Sequence, residues 1–167
     1  MLNSQKLSKK LLELCVEKNA QLLTAESCTG GLLSANITGI AGSSSVFSHG
    51  FICYSNESKK KFLNVTEKTI DSYGAVSYET VKQMLLGLCN QAKSKTLAVA
   101  ISGVAGPIGS ESKPVGLVFV GVRISSCSTE KIAQLNLGDI GRHKIQQRSV
   151  HEALQMSINI LEHSKKY

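Results

Sequence analysis

The sequence predicts an α/β protein: a single three-layer α/β/α domain over residues 1–167, with a mostly parallel or mixed central sheet. Three observations predict it. Continuous apolar runs such as Leu97-Ala98-Val99-Ala100-Ile101 have strand length without polar alternation, so both of their faces are covered. Segments with apolar residues at helical spacing alternate with these runs, which places helices on both sides of a sheet. Polar or glycine-rich loops at 26–31, 39–45 and 103–114 separate the elements. In open sheets of this class, ligands bind outside the strand ends, where such loops lie.

Each element has its own justification. Leu7, Leu11, Leu14 and Cys15 follow i, i+4, i+7, i+8 spacing, so a helix is expected over 4–18 with Ser4 as its cap. A strand over 21–25 follows, then a polar turn and a helix over about 30–38. Thr38 to Ser45 is a small-residue loop, and 46–55, with Phe47, Phe51, Ile52, Cys53 and Tyr54, reads as a strand. Asn56 is placed to cap a helix through Leu63, and Thr66 another through about Ser72. Gly74-Ala75-Val76 punctuates before Ser77, which caps a helix carrying Val81, Leu85, Leu88 and Ala92. Strands are expected over 96–102, 115–124 and 132–137. Gly138-Asp139-Ile140-Gly141 then breaks the chain before a last helix bearing Val150, Leu154, Ile158 and Leu161. The chain shows no internal repeat or long linker, and 167 residues with 42% hydrophobic content suit one domain burying about two thirds of its unfolded surface.

Composition narrows the function. The net charge is +7, but the longest basic run is Lys59-Lys60-Lys61, tryptophan is absent and aromatics are 5%. A base-stacking platform is therefore poorly supplied, which argues against dedicated nucleic-acid binding, while a basic protein equally attracts a small phosphorylated metabolite. Every apolar run falls short of the roughly 18 residues of a membrane span, and the first residues lack the apolar core of a secretory signal. Five scattered cysteines, Cys15, Cys28, Cys53, Cys89 and Cys127, suggest reduced thiols in a cytoplasmic protein. Four of them read as small core residues; Cys28 is the exception. His, Cys and carboxylate residues show no ligand spacing, so neither a metal nor another cofactor is expected.

The stretch Thr24-Ala25-Glu26-Ser27-Cys28-Thr29-Gly30-Gly31 lies between the apolar runs Leu22-Leu23 and Leu32 to Ile37. A strand, tight turn and helix in that order aim backbone N–H groups and the positive helix end into a crevice, which suits a phosphate or carboxylate. The same sequence serves equally as plain punctuation.

These residues, with Gly42-Ser43-Ser44, Tyr54-Ser55-Asn56-Glu57-Ser58-Lys59, Gly74-Ala75-Val76-Ser77, Ile101-Ser102-Gly103-Val104-Ala105-Gly106-Pro107 and Lys113-Pro114-Val115-Gly116, resemble the C-terminal domain of the competence/damage-inducible protein CinA. The resemblance covers about residues 6 to 161. It implies a nicotinamide-nucleotide amidohydrolase that converts nicotinamide mononucleotide to nicotinate mononucleotide and ammonia through a serine and a lysine. By motif position the lysine is Lys59. The serine is Ser44 in Gly42-Ser43-Ser44, with Ser27 as rival.

Hydrolysing an unactivated amide requires a nucleophile, a proton acceptor, an acid for the leaving ammonia and donors for the oxyanion. The sequence shows no Ser-His-Asp constellation: His143, His151 and His163 lie on or near the last helix, and only His49 is near the motif loops. A lysine partly buried beside polar groups has its pKa lowered and can take a serine proton. Implied around the pair are Cys28, Thr29, Gly30 and Gly31 as a phosphate cradle or oxyanion site. Tyr54 is implied on the ligand ring (or as a buried sheet tyrosine), Asn56 on the carboxamide (or as an N-cap) and Glu26 on the ribose or an amine. Gly106 and Arg142 complete the set.

The chain departs from the family pattern twice. Gly106-Pro107-Ile108-Gly109-Ser110-Glu111-Ser112 is one glycine short, and Gln146 stands where a second basic residue is usual, with Arg148 a turn further on. Alternative readings are a non-catalytic nucleotide-binding module of this family and a DNA-linked accessory protein. A small-molecule nucleotide is the expected partner, without membrane, and a homo-oligomer is possible.

Overall fold

A computed structural model describes residues 4–92, 94–110, 113–127 and 129–164. Glu111 and Ser112 of the shortened loop lie outside the described residues. Helix α1 spans Ser4–Glu17, followed by β1 (Gln21–Glu26), α2 (Leu32–Thr38), a 3-10 turn at Ser43–Ser45 and β2 (Phe47–Ile52). Next come α3 (Asn56–Leu63), α4 (Glu67–Tyr73), α5 (Tyr78–Asn90), β3 (Thr96–Gly103), β4 (Leu117–Ile124), β5 (Thr129–Asn136) and α6 (Arg142–Glu162).

The five strands form one mixed sheet in the order β2-β1-β3-β4-β5. Strands β2, β1 and β3 run parallel, whereas β4 returns antiparallel to β3 and β5 antiparallel to β4. Strand β3, with seven of its eight residues buried, is the covered strand its apolar run announced. Leu22, Leu97, Val99, Ile101, Val118, Val120 and Val122 pack beneath α1, α2 and α6. Leu23, Ala25, Ala98, Ala100 and Phe119 pack beneath α3 and α5. Those are the three layers.

The caps follow residue chemistry. The Thr66 side-chain oxygen accepts from the N–H of Thr69, and that of Ser77 from the N–H of Thr80. The cap of α3 is Ser55, which accepts from Ser58 N–H, so Asn56 is the first helical residue instead. The last strand begins at Thr129, three residues before the apolar stretch that signalled it, because an edge strand keeps pairing through polar residues. Among the described residues, no helix is long and apolar enough to cross a membrane.

The topology gathers loops at one end. The turn after β1, the segment after β2, the β3–β4 hairpin loop and the segment after β5 all leave the sheet on the same side. Gly116, at φ 84, lets the hairpin loop approach Gly138 so closely that a Cβ would collide with that backbone.

Candidate active site

A crevice of about 230 Å³ opens at this end of the sheet, lined among others by Ser27, Cys28, Tyr54, Asn56, Lys59, Ser102, Gly106 and Arg142. Its size is at the low end for small-ligand clefts, which suits one heterocycle with its immediate substituents.

Lys59 is the centre of it. It lies on the inner face of α3, one turn before Leu63, and is 1% exposed, the largest of the fully buried side chains. Its Nζ donates to Ser27 Oγ at 3.1 Å and to the Cys53 carbonyl at 2.9 Å. Ser27 begins the turn after β1 and is held by its backbone: its N–H donates to Ile101 O at 3.0 Å and its carbonyl accepts from Gly30 N–H at 3.0 Å. The hydroxyl therefore has a fixed origin from which to face the lysine.

Cys28 lies beside the pair. Burial pushes its thiol up to about 12, against the downward pull of Lys59 and Arg142, while Glu26 adds to the rise. A neutral thiol is no competitor to Ser27 as nucleophile near neutral pH. Tyr54 is 63% exposed at the rim, so it is no buried sheet tyrosine. Arg142, the first residue of α6, donates from Nη2 to the Gly106 carbonyl and so joins the last helix to the hairpin loop.

Several expectations need correction. Ser44, favoured as the nucleophile, is exposed in the 3-10 turn before β2, where the Val46 carbonyl accepts from Leu22 N–H. Ser27 is five residues beyond Leu22, so at about 3.3 Å per residue the two serines are separated by about 16 Å of strand. Ser44 is at the opposite end of the sheet and outside proton-transfer range of Lys59.

Glu26 faces inward and is fully buried. Its Oε2 accepts from the N–H groups of Gly31 (3.2 Å) and Leu33 (2.9 Å), and its Oε1 from Ser34 N–H (2.8 Å) and Ser34 Oγ (2.7 Å). It serves as the cap that Gly31 cannot supply, rather than a ribose ligand. The phosphate-cradle reading of Thr29, Gly30 and Gly31 fails for the same reason. Gly30 N–H is held by Ser27 O, Gly31 N–H by Glu26 and Leu32 N–H by Thr29 O, so the anion slot of α2 is filled by the chain's own carboxylate. These three residues do not line the crevice.

His49 bonds Ser48 Oγ and meets the Phe51 ring edge-on, apart from the crevice. Cys127 is exposed, so it is not a core thiol. Sequence reasoning passed over Ser102, 1% exposed, whose Oγ donates to Ala75 O at 2.7 Å on the crevice wall. Its signal was available: it is the buried polar residue that directly follows the apolar run Leu97 to Ile101 at the loop end of the strand. Among the described residues, no cluster of three or more His, Cys, Asp or Glu could hold a metal ion.

Comparison with known proteins agrees with this architecture. The profile of the CinA C-terminal domain matches residues 4–161. A CinA-like protein of Prochlorococcus marinus is 39% identical over 165 residues, covering 98% of this chain and 39% of that protein. A putative competence-damage inducible protein of Alkaliphilus oremlandii is 46% identical over 127 residues, 75% of this chain and 30% of the relative. The chain thus spans about a third of the length of these curated relatives. Among solved structures, the competence/damage inducible protein CihA from Agrobacterium tumefaciens superposes with a TM-score of 0.89 at 37% identity, covering 95% of each chain. The competence damage-inducible protein A from Klebsiella pneumoniae gives a TM-score of 0.91 at 27% identity, over 98% of this chain and 99% of that one.

Proposed function

Since this chain belongs to the CinA C-terminal domain family, we propose that it is an amidohydrolase acting on nicotinamide mononucleotide, with Ser27 and Lys59 as its catalytic pair. The reaction releases ammonia and nicotinate mononucleotide. The observation that carries the reading is the 3.1 Å contact between Lys59 Nζ and Ser27 Oγ inside the crevice.

Burial disfavours an ammonium and favours the neutral amine that a base requires. In that form the same contact runs in reverse, and Ser27 Oγ–H donates to Nζ. As Oγ attacks the carboxamide carbon, Lys59 takes the proton and the carbonyl oxygen becomes an oxyanion. Collapse of this intermediate expels ammonia, which receives the proton from Lys59, and leaves a nicotinoyl ester on Ser27. Lys59 then takes a proton from water; hydroxide adds to the ester, and Ser27 Oγ leaves and is reprotonated by Lys59.

The backbone N–H of Cys28, the residue after the nucleophile, makes no hydrogen bond to another residue among those described and is the donor assigned to the oxyanion. Arg142 supplies a cation on the crevice wall for the phosphate, Tyr54 a ring at the rim and Asn56 an amide for the carboxamide. In this reading the enzyme works in the cytoplasm, where its thiols stay reduced.

The test is ammonia release from nicotinamide mononucleotide, without added metal, by wild type, Ser27→Ala and Ser44→Ala. Ser27→Ala is expected to lose at least ~10³-fold in rate, with Ser44→Ala unaffected. A wild type that releases no ammonia yet melts higher with the nucleotide is instead a binding module. Activity lost only in Ser44→Ala overturns the pairing.

A further inference from the structure

The wall of the crevice holds a second buried hydroxyl beside that of Ser27. Ser102 is 1% exposed and lines the crevice near the end of β3. The sheet sets the two serines next to each other. Glu26 pairs with Ile101 in the parallel register of β1 and β3, and Ser27 N–H continues the ladder to Ile101 O at 3.0 Å. One residue further along each chain stand Ser27 and Ser102, on neighbouring segments about 4.8 Å apart. Alternation gives them a common face. Glu26 turns back to cap α2 and Ile101 packs beneath α1, α2 and α6, so the next residues face the side of α3, where Lys59 meets Ser27.

The hydrogen-bonding capacity of Ser102 is one-sided. Its Oγ donates to the Ala75 carbonyl at 2.7 Å, and a carbonyl only accepts, so the single hydroxyl proton is committed there. What remains are the lone pairs of the oxygen. Ser102 is therefore no second nucleophile with Lys59 as its base; towards a ligand it is an acceptor. A carboxamide carries N–H donors on its nitrogen, whereas an ionised carboxylate carries none.

We propose that Ser102 accepts an N–H of the substrate carboxamide and so selects the amide over the carboxylate it becomes. The inference rests on the amidohydrolase reading above. With its oxygen at Cys28 N–H and its nitrogen at Ser102, the carboxamide is held in one of its two flipped orientations while Ser27 Oγ meets its carbon. The nitrogen keeps this contact as it leaves: it takes a proton from Lys59, its bond to the carbonyl carbon breaks and ammonia departs. Water then takes the vacated place, donating one hydrogen bond to Ser102 and giving its other proton to Lys59. The product carboxylate meets Ser102 acceptor to acceptor, and gains a hydrogen bond there only if the hydroxyl abandons Ala75 O. A site built around one hydrogen-bond partner rejects the ligand that lacks it, because its own polar group is left unpaired.

The experiment compares wild type with Ser102→Ala and Ser102→Thr. Alanine suits the position, since Ala98 and Ala100 precede it in the same buried strand, and threonine keeps the hydroxyl. Two quantities are read: kcat/KM for ammonia release from nicotinamide mononucleotide, and the affinity for nicotinate mononucleotide by calorimetry, which needs no turnover. Ser102→Ala is expected to lose on the order of 10-fold or more in kcat/KM, with Ser102→Thr recovering most of it. The same alanine variant is expected to bind the product as tightly as wild type or more tightly.

A hydroxyl that merely steadied the Ala75 segment would not separate the two readouts, because a loosened crevice weakens substrate and product alike. Unchanged kcat/KM in Ser102→Ala overturns the inference, and so does a product affinity that falls in step with turnover. A wild type that releases no ammonia refutes the reaction itself, and is thereby distinguished from an active wild type that Ser102→Ala equals.

Discussion

Replacing Lys59 by methionine separates the chemistry of this residue from its place in the fold. The side chain is 1% exposed, and its Nζ bonds Ser27 Oγ and the Cys53 carbonyl. Methionine fills nearly the same volume without the amine. Two opposing effects follow. The Cys53 carbonyl loses a donor, which costs about 1–3 kcal/mol if nothing replaces it, while the Ser27 hydroxyl still faces the crevice and its water. Against this, the cost of stripping the buried lysine of the proton it carries in the unfolded chain, several kcal/mol near neutral pH, disappears. The balance is a stabilisation of about 2 kcal/mol, which raises the melting temperature of a domain this size by about 4–8 °C. Turnover should fall about 10³- to 10⁴-fold, because every proton transfer of the cycle loses its carrier. The assay pairs thermal unfolding with ammonia release on the same preparations. A Lys59→Met variant that melts lower than wild type would show that the amine is retained for structure. One that still turns over would remove the lysine from the mechanism.

The thiols give a chemical check. Burial holds Cys28 up at about 12; at exposed Cys127, slight burial works upward, but hydrogen bonds from the Thr129 side chain and backbone, with Lys95 nearby, outweigh it and lower the thiol. Iodoacetamide near neutral pH should therefore label Cys127 and leave Cys28 and turnover intact; activity lost in step with Cys28 labelling contradicts this. Glu26→Gln puts an NH₂ group against donors that now meet a carboxylate, and should destabilise the fold by about 3 kcal/mol, read as a lower melting temperature; an unchanged one refutes the capping role. Cys15 and Cys28 both rise from 9.0 to about 12 on folding, so the stability they contribute is complete below pH 9 and is lost as pH climbs towards 12. Denaturant unfolding over that interval should show a declining free energy, with a shallower slope in Cys15→Ala; identical slopes would mean Cys15 titrates alike in both states.

Much of this was legible in the chain. The run from Leu97 to Ile101 declares a covered strand because every residue is apolar, and Thr66 and Ser77 declare helix starts because their hydroxyls reach the N–H three residues on. The crevice wall was legible as motifs, since Tyr54, Asn56, Lys59, Gly106 and Arg142 converge there. The separation of Ser44 from Lys59 was harder to see, although the topology carried the answer. A loop that leaves a helix and enters a parallel strand lies at the opposite end from one that leaves a strand, so the 39–45 loop could not share a site with residue 59. Glu26 was illegible for a different reason. Nothing local tells a carboxylate ending a strand whether it faces a ligand or folds back onto the amides of the next helix.

The hairpin loop between β3 and β4 closes on itself. Val104 N–H bonds Leu117 O at 2.9 Å and Gly116 N–H bonds Val104 O at 2.8 Å, while Ser110 and Lys113 exchange bonds nearer the tip. Ser27 and Lys59 stand on other elements, so this segment forms one wall of the crevice without carrying the proposed catalytic pair. Doubling the length of a flexible loop adds only about 0.6 kcal/mol of closure entropy. Under the proposed amidohydrolase reading, grafting a longer or differently shaped tip between Gly106 and Pro114 is thus a route to new amide substrates that leaves Ser27 and Lys59 in place, open alike to gene duplication and to the bench.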